Sequence, residues 1–196
     1  MIWRVKKLLP LVDSKFLCGR MANESQALTA CAFTGSGVTR EQSLALDSAR
    51  PTLYERLGPG TIRDISSGFY ESRVFSDEVW FRSIFSASTK REAIENQVDF
   101  LVERLGGPKL YTQRKGKMRL IHRHSPYDLN SKSAARWLEH MEATLEASDG
   151  VDSRAKELLM AYFSHMAYFL VAGKEMSSPS VLVDYANKMA ESLPKS

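Results

Sequence analysis

The chain has 196 residues with 43% apolar and 26% charged side chains, which places it among globular proteins rather than disordered ones. A net charge of +4 is too small to argue for nucleic acid, and no uninterrupted apolar run is long enough to span a membrane. The two cysteines, Cys18 and Cys31, form no disulfide framework, and no Cys-x-x-Cys-His motif is present.

Residues 1 to about 50 have a composition of their own. Met1 to Pro10 is basic and apolar, and a tract rich in Ser, Thr, Ala and Gly follows, with few acids. Two readings stand open: an organelle transit peptide, or an extension with no address. The first puts the protein in a chloroplast or mitochondrion, the second leaves it cytoplasmic. Under either reading this segment is expected to carry no part of the core.

Pro51 and Thr52 open the first helix, through Leu53, Tyr54 and Leu57, and Gly58-Pro59-Gly60 closes it. Thr61 is expected to cap a second helix whose face is Ile62, Ile65 and Phe69, with Tyr70 beside it. Asp77 to Phe85 is a short helix or turn dense in aromatics. Ser88 or Thr89 caps the next helix, which runs to Leu105 and stops at Gly106-Gly107. Ala93, Asn96 or Gln97, Phe100 and Leu101 follow helical spacing there, which makes Gln97 a polar residue on an otherwise apolar face. A buried amide left unmatched costs roughly 1–3 kcal/mol, so Gln97 either bonds something local or faces a ligand. The basic run Arg114-Lys115-Gly116-Lys117 reads as a solvated loop.

Arg119 to Tyr127 reads as a short basic helix stopped by Pro126, which disfavours helical backbone at Ser125. Helical spacing turns Leu120, Ile121 and His124 inward together, with His122 roughly 160° away from His124, facing water or the rim. An imidazole on an apolar face is either a hydrogen-bonded core residue or a ligand for a metal or cofactor. Asn130 or Ser131 caps a long helix bearing Ala134, Trp137, Leu138, Met141 and Leu145. Gly150 breaks it. Asp152 or Ser153 starts another, with a broad stripe from Leu158 to Leu170. Ser178-Pro179 opens a further amphipathic helix that either packs on its own chain or mediates an interface. No strand-like alternation of any length is present, so the class is all-α. Domains follow as 1–50, 51–174 and 175–196.

Three segments, Gln97 to Tyr111, Arg119 to Tyr127 and Arg136 to Met141, resemble in order and spacing the truncated (two-on-two) haemoglobins, above all the plant-type branch of their second group. The resemblance runs from about Leu53 to Gly173. It implies a shortened globin holding haem b, with His124 as the proximal iron ligand. Tyr70, Gln97 and Trp137 are then neutral distal donors around a bound gas, and Ala93 stands where vertebrate globins have their distal histidine. Phe85, Phe100 and Ile121 are expected to line the haem. Tyr111 and Arg123 are either partners of its propionates or parts of a solvated rim. Without the resemblance, Tyr70 and Trp137 read as ordinary core aromatics. Two departures from the family pattern, Lys117 for a histidine and Tyr127 for a phenylalanine, are expected to bear on loop packing alone.

The resemblance implies reversible binding of O2, CO and NO at ferrous iron. Three donors would slow oxygen release, which makes a poor transporter. The alternative is a redox enzyme, with nitric oxide dioxygenase, nitrite reductase or peroxidase-like chemistry. Turnover would need an external reductase, because no G-x-G-x-x-G dinucleotide motif is present. The oligomeric state, a dimer included, is left open.

Overall fold

The computed structural model of the chain describes residues 36–176. The basic leader, both cysteines and the helix expected from Ser178 lie outside these residues. Among the described residues every regular element is helical.

Local chemistry explains most helix starts. Thr52, Thr89 and Asn130 each accept a hydrogen bond from a backbone N–H three residues on, and Glu55, Glu92 and Ser133 bond back to the cap, closing a reciprocal box. Each such cap is worth about 1 kcal/mol. These caps open α2 (Leu53–Ser72), α4 (Lys90–Arg104) and α7 (Ser131–Glu146). The last helix, α8 (Ser153–Met176), begins where Asp152 Oδ1 accepts from the Ala155 N–H at 2.9 Å. Helix α2 is kinked at Gly58, which has φ 74° and ψ 163°, so the break expected at Gly-Pro-Gly is present. The second segment resumes at Pro59, which suits a first helical position, rather than from a cap at Thr61.

Helices α2 and α4 lie along each other, as do α7 and α8, and α2 also packs on α7. The shared core includes Ile62, Ile65 and Phe69 of α2, Leu101 of α4, Met141 and Leu145 of α7 and Leu159 of α8. Two helix pairs packed in this way make the two-on-two helical sandwich of a shortened globin. Gly107 lets α4 end against the start of α2. A Cβ there would stand 2.7 Å from the Tyr54 ring, while the Tyr54 N–H donates to the Leu105 carbonyl at 3.0 Å.

Two expectations are corrected. The residues before Pro51 do contribute to the core: α1 (Arg40–Leu44), capped by Thr39, packs on α8, and the 3-10 turn after it buries Leu46 to 4% exposure. Asp47 in that turn is paired with Arg104 of α4. The basic run near Arg114 is not simply a solvated loop either. Leu110–Lys115 forms a short helix, α5, because Arg114 binds Asp99 at 2.5 Å and Asn96 at 2.9 Å on the neighbouring α4.

Short elements connect the long helices: α3 (Val79–Arg82) and the 3-10 turn Ser83–Phe85 lie between α2 and α4 in the chain, and α6 (Leu120–His124) precedes α7. Neither α3 nor α6 is long enough to be stable alone, so tertiary contacts decide where each lies. For α6 those contacts come from the end of α8. Ile121 abuts Gly173, and Lys174 Nζ donates to the Tyr127 carbonyl just after α6.

Candidate functional site

A cavity of about 590 Å3 opens between the helix pairs, lined mostly by apolar and aromatic side chains with a few polar groups. That is within the usual range for a site taking a small organic ligand or cofactor. Its walls come from α2 (Tyr70), α3 and the turn after it (Phe81, Phe85), α4 (Ala93, Gln97, Phe100), α5 (Tyr111), α6 (His124) and α7 (Trp137).

On one side, His124 is half-buried near the end of α6. Its Nδ1 lies 2.8 Å from the Leu120 carbonyl, one turn back, and a carbonyl only accepts. Nδ1 therefore carries the proton, and Nε2 is the ring nitrogen with a free lone pair. Burial pulls the imidazole pKa below its ordinary value, only partly offset by the Leu120 carbonyl, so the ring stays neutral at pH 7.

Three polar side chains line the same cavity: Tyr70, Gln97 and Trp137. Tyr70 is held edge-on between Phe69 and Phe85, with ring centroids 5.1 and 6.0 Å away. Burial pushes its hydroxyl well above the usual tyrosine range, so it keeps its proton. Trp137 packs against Phe69 at 5.0 Å and Phe163 at 5.3 Å. Gln97 Oε1 is buried and has no hydrogen-bond partner. A buried amide oxygen in that position is costly unless something entering the cavity answers it.

Nine of the ten residues singled out from the sequence line this one cavity: Tyr70, Phe85, Ala93, Gln97, Phe100, Tyr111, Arg123, His124 and Trp137. Ile121 does not. It turns to Gly173 of α8, and Leu120 takes its place on the wall. A helix of about one and a half turns has too little periodicity to fix which neighbour faces inward.

Tyr111 is buried and meets Phe100 edge-on at 5.7 Å, so it is no solvated rim. Arg123 lies over the Tyr111 ring at 5.6 Å, and its guanidinium donates to the backbone carbonyls of Lys115, Lys117 and Met118. Its first task is thus to hold the loop between α5 and α6, with Nη1 left over.

Sequence reasoning missed Tyr127, which lines the cavity with its ring 6.0 Å from that of His124, so its replacement of a phenylalanine concerns the site as well as the loop. Lys115 and His122, both exposed, also reach the cavity. The aromatic after Pro126 was the one signal that could have flagged Tyr127.

The bacterial-like globin family model matches residues 52–171. The chain is 46% identical over 144 residues to two-on-two hemoglobin-3 of Arabidopsis thaliana, covering 73% of this chain and 81% of that protein. It is 43% identical over 154 residues to group 2 truncated hemoglobin 3-1 of Lotus japonicus, covering 78% and 90%. Among solved structures, a hemoglobin from the thermophilic phototroph Chloroflexus aurantiacus superposes with a TM-score of 0.57 at 36% identity, covering 62% of this chain and 98% of that one. A truncated oxygen-avid haemoglobin from Bacillus subtilis gives 0.56 at 29%, covering 61% and 98%. With its helix pairs, its cavity and these matches in agreement, the chain belongs to the bacterial-like globins and, within them, to the second group of two-on-two truncated haemoglobins, a family whose membership implies haem-based binding of small ligands.

Proposed function

We propose that the cavity holds haem b without a covalent link, that His124 is its proximal iron ligand, and that the protein binds O2, CO and NO reversibly at ferrous iron. One observation carries the reading: His124 Nδ1 is committed to the Leu120 carbonyl, so a neutral imidazole has Nε2 left to bind a metal. A second feature supports it: the Gln97 amide has a buried atom without a partner in the protein, and with its oxygen and nitrogen exchanged the amide would present an N–H donor there.

Haem, when bound, would supply an iron centre able to take a diatomic gas. The chain's own residues do the rest. The Leu120 carbonyl fixes the tautomer and orientation of His124 and raises its basicity. Phe85, Phe100 and Tyr111 give the cavity aromatic walls that would exclude water from a bound haem. Tyr70, Gln97 and Trp137 offer a hydroxyl, a carboxamide and an indole N–H, all neutral at pH 7 and preorganised around one space. Exchanging the amide oxygen and nitrogen of Gln97 moves no heavy atom, so the same side chain can present an acceptor or a donor. Ala93 is small enough to leave room beside them. Arg123, Lys115 and His122 also line the cavity and would offer donors to the propionates.

Oxygen release tests this reading. Removing a donor to a partly charged ligand costs roughly 1.5–3 kcal/mol, so Tyr70→Phe, Gln97→Leu and Trp137→Phe should each speed oxygen loss roughly 10- to 150-fold in stopped flow. Unchanged rates in all three would refute the distal assignment. Nitric oxide consumption by the oxygenated protein with re-reduction by an added reductase would extend the function to dioxygenation.

A further inference from the structure

The side chain of Asp77 is 3% exposed and lies outside the cavity, yet it ties together two elements that build the cavity wall. Its carboxylate accepts from Arg136 Nη2 at 2.7 Å and Nε at 2.9 Å, from His140 Nε2 at 2.7 Å, and from the Glu78 N–H at 2.7 Å. Arg136 and His140 are four apart on α7 and so project from one face of it, on either side of Trp137 in sequence. Asp77 itself stands just ahead of α3.

Contact then runs from this cluster toward the cavity. The His140 ring packs on Phe81 at 5.4 Å, Phe81 meets Phe85 edge-on at 5.4 Å, and Phe85 meets Tyr70 at 6.0 Å. A second pin fastens the same short helix to α7, with Lys132 Nζ 3.9 Å from the Trp80 ring centroid. Four residues of helix have no stability of their own. The place of the Phe81–Phe85 wall relative to Trp137 is therefore set by these attachments. Burying the Asp77 carboxylate costs desolvation that offsets much of its attraction to Arg136, whose side chain is 34% exposed, so the cluster is a weak means of adding stability; fixing one geometry is the better-attested use of such groups.

We propose that Asp77, Arg136 and His140 form a latch between α3 and α7 that positions Phe85 and Trp137 around the bound gas. These are positioning residues, acting through the wall and touching neither haem nor ligand. The inference rests on the haem reading given above.

The test uses the full chain loaded with haem and compares His140→Leu, His140→Gln and Asp77→Asn, each alone and with Trp137→Leu. Readouts are the oxygen release rate, the stretching band of bound CO, and amide hydrogen exchange across residues 79–85. Leu removes the donor to Asp77, whereas the amide nitrogen of Gln reaches where Nε2 stood. His140→Leu and Asp77→Asn should change oxygen release by roughly 2- to 30-fold, the range for residues acting through packed neighbours. They should also shift or split the CO band and speed exchange in α3. His140→Gln should retain wild-type values, and the His140→Leu effect on release should shrink in the Trp137→Leu background.

A His140→Leu protein with wild-type release and an unchanged CO band overturns the latch, leaving an ion cluster with no bearing on the site. Gln behaving like Leu overturns it too, because the bond to Asp77 would then not be the carrier. Should Asp77→Asn fail to fold, the two His140 variants decide. If Trp137→Leu alone leaves release unchanged, the distal role of Trp137 fails instead, and the CO band of the His140 pair still judges the latch.

Discussion

Gly173 is the point at which the end of α8 meets the helix carrying His124, and adding one carbon there has a calculable result. A Cβ at Gly173 would stand 2.8, 2.9 and 3.2 Å from Ile121 Cδ1, Cγ1 and Cγ2. Ordinary carbon contacts are about 3.5–4.0 Å, so the whole Ile121 side chain, and not only its tip, has to retreat. Overpacking of this kind costs about 1–3 kcal/mol. Ala is also favoured over Gly inside a helix by about 1 kcal/mol, so Gly173→Ala should destabilise the protein by about 0–2 kcal/mol net. With Ile121→Ala the obstructing atoms are gone, and Gly173→Ala should then stabilise by about 1 kcal/mol. Urea unfolding of the four proteins in this cycle gives a coupling of about 1–3 kcal/mol if Ile121 occupies the space against Gly173. Equal effects of Gly173→Ala in both backgrounds would refute the placement of α6 on α8. Because α6 ends at His124, the single variant should also shift the spectrum of the haem-loaded protein, and the double variant should restore it.

Three further outcomes are expected. Leu46→Ala should cost about 2–5 kcal/mol in unfolding experiments, as for a core leucine; a cost near zero would return residues before Pro51 to the status of an appendage. Gln97→Leu removes a buried oxygen without a partner, so the haem-free protein should gain up to about 1–3 kcal/mol, and a loss of stability would show that the amide has a partner in the protein. The Arg136 guanidinium, with His140, holds the Asp77 carboxyl well below the usual carboxylate range. A group whose folded pKa is depressed contributes stability that is complete above its unfolded value, about 4, and is lost as pH falls toward the folded one. Asp77→Asn should therefore flatten the fall in stability with acid below about pH 4, and parallel curves for variant and wild type would contradict that.

Much of this was legible in the sequence because the signals are local. Thr52, Thr89 and Asn130 announce their helices through caps satisfied within three residues, and Gly58 marks a kink that no other residue type adopts readily. Gln97 was legible as a polar residue on an apolar face, and it is indeed a buried amide oxygen without a partner. What escaped depends on contacts between distant residues or on elements too short to carry a period. Helix α1 has five residues, and Leu46 enters the core from a turn in a stretch otherwise rich in small polar residues. Of the two residues expected inward with His124, Leu120 lines the cavity and Ile121 does not, because α8 presents Gly173 to receive the isoleucine, a pairing across the fold. Arg123 spends most of its guanidinium on loop carbonyls, which have no signature in sequence. Asp77 finds Arg136 and His140 only once α3 and α7 meet.

The visible spectrum of the purified, reduced protein under CO tests the central claim most directly, taken for wild type, His124→Ala and His122→Ala. Wild type and His122→Ala should show the same sharp band of an imidazole-ligated haem, and His124→Ala should lose or move it. An unchanged band in His124→Ala, or a protein that takes up no haem, would contradict the account.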